Sequence, residues 1–183
     1  MIGHRSAAVS WWRDLQGGGK GAGEHSRPAD RATQAQLRRC ATVTEAMQHR
    51  ATIDLFRRCG AMHPADLPQI ALAAAVLAHV RQDAPGPSIA SVIGPETPDR
   101  PQTALLKPLR FRRLMEAETP DERLIAFRRL AALARGRLNI VDLVEALLNW
   151  SEFTQRRWIY DFWKAGQPAD TTRPTPRTEV TVA

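Results

Sequence analysis

Residues 70–78 read IALAAAVLA, and the longer segment LPQIALAAAVLAHVRQD is apolar on nearly every face of a helix. A helix with no polar side has to be enclosed. The apolar run falls far short of the roughly 20 residues that a membrane span needs, so the rest of the chain must do the enclosing. The segment is therefore expected to be the central buried helix of an all-α helical bundle. His79, at its far end, is expected to be structural rather than a ligand.

The flanking segments supply helices to wrap around it. SWWRDLQ offers Ser10 as an N-cap and runs into GGGKGAG, a flexible linker by composition. Another helix is expected from about Asp30, through RATQAQLRRC. TVTE, with Thr42 and Glu45 spaced as a capping box, starts a run that stops at Gly60. Prolines at 85, 87, 95, 98, 101 and 108 break up regular helix and mark a connector, with room for one turn of helix at SIASVI. Pro108 suits the first turn of a helix running to Glu118, and TPDE makes Thr119 the cap of the next, ending at Gly136. Asn139 caps a helix whose Ile140, Leu143, Val144, Leu147 and Leu148 form one apolar stripe. EFTQRRWIYDFWK is the last helix, with Trp158, Ile159, Phe162 and Trp163 on its packed face and Arg157 able to pair with Asp161. Only TEVTV alternates like a strand. The expected organisation is an N-terminal lobe at 10–83 with a Gly-rich loop at 17–29, a connector at 84–107, a C-terminal lobe at 108–166 and a disordered tail at 167–183.

Charge narrows the function. Lys and Arg number 26 against 19 Asp and Glu, a net charge of +7, which favours an acidic partner such as nucleic acid. Only Lys20, Lys107 and Lys164 are lysines, which leaves 23 arginines. GC-rich codon usage would raise arginine and alanine together, but it does not explain the excess of base over acid. Arg-Arg doublets recur at 38–39, 57–58, 112–113, 128–129 and 156–157, and FRRL occurs twice, at 111–114 and 127–130. On a helix, Phe111, Leu114 and Met115 share an arc of about 100°, with Arg110, Arg112 and Arg113 opposite. A solvated face is the ordinary reading of any one doublet. Five of them suit phosphates, which guanidinium groups grip bidentately.

Other chemistry finds no support. Lys20 is followed by Gly21, with no strand before it, so GGGKGAG is not a nucleotide loop. The five histidines, Cys40 and Cys59 have no metal-ligand spacing, the carboxylates form no paired cluster, and nothing marks a nucleophile. Neither catalysis, nor a metal, nor a cofactor is expected. The cysteine spacing suits a reducing cytoplasm, and no secretory signal is apparent.

WWRDL, AQLRRCATVTEAM, the alanine-rich helix, LRFRRLMEAETPDERLIAFRRLAAL, LNIVDLVEALLNW and RRWIYDFW occur in an order that resembles the CasB family. That family is the small subunit of the type I-E CRISPR surveillance complex Cascade, and the resemblance covers about residues 10 to 165. It implies an all-helical, non-enzymatic protein that packs as a pair within the complex and helps hold target DNA open. The implied partners are the large and backbone subunits, CRISPR RNA, and the target and displaced DNA strands, with no membrane. The family's basic positions would fall on Arg38 and Arg39, Arg110 and Arg113, and Arg128 and Arg129, while Gln34 stands where an arginine is often found. Arg156 and Arg157 join the candidate nucleic-acid contacts as the last doublet. A helical adaptor for acidic protein partners and a helix-turn-helix regulator are the alternatives.

Overall fold

The computed structural model describes residues 5–18 and 29–166, and the Gly-rich segment at 19–28 and the tail at 167–183 lie outside them. The described residues form an all-α bundle of ten helices: α1 (Arg5–Leu15), α2 (Arg31–Arg39), α3 (Val43–Met47), α4 (Arg50–Arg58), α5 (Leu67–Leu77), α6 (Ile89–Ile93), α7 (Pro108–Met115), α8 (Pro120–Leu133), α9 (Ile140–Leu148) and α10 (Glu152–Phe162). The apolar segment becomes α5, and the side chains from Ile70 to Ala78 have no exposed surface. Helices α3, α4, α8 and α9 pack directly on it, α1 packs on α9 and α4, and α6 packs on α10. Its four alanines at 71 and 73–75 let neighbouring backbones approach from all sides, the condition for a helix enclosed by α3, α4, α8 and α9, with α2 at its edge.

A buried helix end leaves carbonyls without partners. The N–H groups of Ala78, His79 and Val80 meet carbonyls of the last turn of α5, and the carbonyls of Ala78 and Val80 just beyond it are met by side chains from α1, from Gln16 after it, and from α2. Trp12 Nε1 and Gln16 Nε2 donate to the Val80 carbonyl at 3.1 and 2.7 Å, and Arg38 Nε donates to the Ala78 carbonyl at 2.6 Å. The chain then makes a two-residue parallel pairing of β1 (Gln82–Asp83) with β2 (Arg137–Leu138). Gly136, at φ +73°, sits in this turn because a Cβ there would press on the His79 carbonyl oxygen at 3.1 Å. Such short strands leave no alternation for the sequence to show.

Local capping matches the sequence at several starts. Asp30 accepts from Thr33 N, Asn139 from Asp142 N, and Thr119 with Glu122 makes a full capping box. Ser88 caps the short α6 at SIASVI. Three local expectations are corrected. Ser10 lies in the middle of α1, whose buried Ala8 and Val9 extend the apolar face upstream of the expected cap. The run from Thr42 breaks at residues 48–49 into α3 and α4. Ile159 is 42% exposed, so the packed face of α10 is carried by Trp158 and Phe162 with Trp163 half-buried.

Aromatic rings lock the C-terminal helices together. Phe127, Trp150 and Trp158 meet edge to face with centroids 5.4–5.8 Å apart, and Phe111 stacks on Phe162 at 3.8 Å. Gly94 ends α6 against α10 so closely that a Cβ would collide with the Phe162 carbonyl oxygen.

Candidate nucleic-acid interface

The structure divides the arginine doublets. In three of them one member turns into the fold and the other faces solvent. Arg38 serves the end of α5 as described, and its Nη2 donates to Gln34 Oε1 at 2.8 Å. Gln34, in turn, is buried and donates to the Leu15 carbonyl at 2.7 Å, which accounts for a neutral residue at that position. Arg128 reaches back to the last turn of α2, its Nη2 donating to the Leu37 carbonyl at 3.2 Å. Both guanidiniums thus sit where a helix C-terminus is negative. Burial lowers the pKa of each, with Arg81 adding to the effect on Arg38. His79 stands between these cations, and burial, then Arg128 and Arg38, push its pKa down to about 4. It is neutral at pH 7, with its Nε2 buried and unpaired among the described residues.

Arg157 is the third inward member. Its Nη2 lies 2.8 Å from Asp142 Oδ1, so the expected partner Asp161 is replaced by a buried carboxylate on α9. Tertiary packing wins because Asp142 is only 7% exposed and cannot be left without a cation. Its other oxygen accepts from Ile89 N at 2.7 Å, tying the start of α6 to α9 and α10. The outward members are Arg39, Arg129 and Arg156, and of these Arg156 lies 3.8 Å from Glu152 across a turn of exposed helix.

Two other doublets differ. Arg58 bridges Asp14 at 2.5 Å and Asp54 at 2.9 Å, joining α4 to α1. Arg112 and Arg113 are both exposed on α7.

Helices α7 and α8 leave a cleft of about 540 Å³ between them. Arg110 and Arg113 enter it from α7, one turn apart, and Arg129 enters from α8. Ala126, Arg129 and Leu133 share one face of α8 at i, i+3 and i+7, opposite Leu114 of α7. The small Ala126 keeps the space open. No carboxylate lines this cleft, and none of the three guanidiniums makes an ion pair among the described residues. Glu116 and Glu122 stand beside an adjoining depression that shares Arg113 and Arg129.

Of the eight candidate arginines, the fold brings Arg110, Arg113 and Arg129 to one cleft. Arg38 and Arg128 converge at His79. Arg39 borders a separate hollow with Gln48 and His49, and Arg156 and Arg157 lie on α10. The apolar floor of the cleft was not singled out from sequence, although the i, i+3, i+7 set on α8 was its available signal. Cys40 and Cys59 are buried thiols, and burial raises the pKa of the second to about 11. Among the described residues no cluster could hold a metal ion, and no helix is long and apolar enough to cross a membrane.

A family model described as CRISPR-associated protein Cse2 matches residues 33–163, most of the chain and all of the helices that carry these arginines. No curated protein and no solved structure matches it.

Proposed function

The chain belongs to the CRISPR-associated Cse2 family, the small subunit of the type I-E Cascade complex, and from that membership we propose that it is a non-catalytic, cytoplasmic subunit that grips nucleic-acid backbone. Its partners are the other Cascade subunits and CRISPR RNA. In RNA-guided recognition, base pairing reads the sequence, so a subunit beside the opened duplex needs only backbone contacts and a channel for the displaced strand. The observation that carries the reading is the α7–α8 cleft, where Arg110, Arg113 and Arg129 converge with no carboxylate in the lining. Arg39 and Arg156 face solvent outside that cleft, while Arg38, Arg128 and Arg157 hold the scaffold that presents it. Binding of this kind is electrostatic and indifferent to sequence.

A compatible second reading concerns assembly. Phe153 and Tyr160, seven residues apart and both exposed, share one face of α10, a face suited to a neighbouring subunit or to a second copy of the chain.

The test is assembly with the other subunits and CRISPR RNA, using wild type and the Arg110→Glu/Arg113→Glu/Arg129→Glu variant. The variant should enter the complex yet leave the displaced strand of bound target DNA more reactive to permanganate. Equal protection of that strand by both complexes would remove the cleft from the function.

A further inference from the structure

We propose that the α7–α8 cleft takes in an unpaired nucleobase, so that the site holds single-stranded nucleic acid by a base as well as by its phosphates. The inference rests on the backbone-gripping function above and adds the form of the ligand. A surface that only tracks phosphates needs cations in water, and an apolar cavity adds nothing to that task. Here the three guanidiniums stand around a floor of Leu114, Ala126 and Leu133, and the volume of about 540 Å³ falls within the range of small-molecule sites.

The chemistry of the lining selects the occupant. A base is flat, with faces that tolerate apolar contact, and a guanidinium plane stacks on it while its neighbours grip the flanking phosphates. In a duplex both faces of a base are already stacked, so an unpaired nucleotide is required. An acidic peptide fits less well. Its carboxylates would lose water over an apolar floor, and the next residues would meet Glu116 and Glu122 beside the adjoining depression. Those two glutamates also direct the phosphate path away from that end.

The experiment compares two labelled single-stranded oligonucleotides of equal length by fluorescence anisotropy with the full chain. One carries all its bases, and the other carries a central run of abasic tetrahydrofuran residues. The base-containing strand should bind about tenfold more tightly, at nearly the same salt slope, because the phosphates are unchanged. Ala126→Leu fills the floor from a half-buried position and should erase the difference between the two strands while leaving the salt slope intact. Equal affinity of wild type for both strands overturns the base pocket and leaves the backbone grip standing. Binding of neither strand overturns the grip as well. Competition by polyglutamate as effective as by the oligonucleotide makes the cleft a protein-docking surface and also overturns the inference.

Discussion

Asp142→Ala removes a carboxylate that three helices share. The side chain is 6% exposed, lies 2.8 Å from Arg157 Nη2, and accepts from Ile89 N at 2.7 Å. Removing one partner of a buried ion pair costs about 3–5 kcal/mol. Arg157 keeps 32% of its side-chain surface, so water recovers part of that cost and the lower end applies. Loss of the acceptor for Ile89 N–H adds about 1 kcal/mol. The total is about 4 kcal/mol. At about 2–4 °C per kcal/mol for a chain of this size, the melting temperature should fall by about 8–16 °C. Calorimetric melts of Asp142→Ala, Arg157→Met and the double variant make the assay. Arg157→Met leaves the carboxylate with its backbone donor and should be milder. The double variant should fall short of the sum of the singles by about 1 kcal/mol or more. A melting temperature for Asp142→Ala within 2 °C of wild type, or strict additivity in the double variant, would refute this three-helix node.

Phe111→Ala should destabilise the fold by about 3–5 kcal/mol, since a ring 3% exposed and stacked on Phe162 leaves a cavity; an unchanged urea midpoint contradicts this packing. His79 should make stability fall in acid. Its folded pKa, about 4, lies below its unfolded value near 6.5, so the unfolded chain binds more protons between those limits. Its contribution is complete above about pH 6.5 and is lost progressively down to about pH 4. Discounted for partial solvent access it amounts to about 1–2 kcal/mol. His79→Gln should flatten the melting-temperature profile across that window, and a profile identical to wild type contradicts the assignment.

Most of the bundle could be read from the sequence because its signals are local. The caps at Asp30, Thr119 and Asn139 each involve residues three apart, and α5 declares itself by lacking any polar face. The start of α1 was missed because Ser10, in the middle of the helix, mimics a cap. The division of the doublets depends on tertiary neighbours. Arg38 and Arg128 turn inward because the carbonyl ends of α5 and α2 lie against them. Part of that was accessible, since each follows a buried residue, Gln34 or Leu124, by one helical turn. The pairing of Arg157 with Asp142, 15 positions away, was not, because an equally good local acid stands at Asp161. The cleft was hidden for the same reason: it exists only where two helices diverge around Ala126.

The most direct test of the central claim is the salt dependence of single-stranded DNA binding, measured for wild type, for Arg110→Gln/Arg113→Gln/Arg129→Gln, and for Arg157→Met. If the cleft arginines contact phosphates, the slope of log affinity against log salt should drop by about 2 in the triple variant, or about 0.7 for each cation removed. Arg157→Met should keep the wild-type slope per folded molecule. A triple variant with the wild-type slope, beside a reduced slope for Arg157→Met, would contradict the division between a cleft that binds and inward arginines that hold the fold.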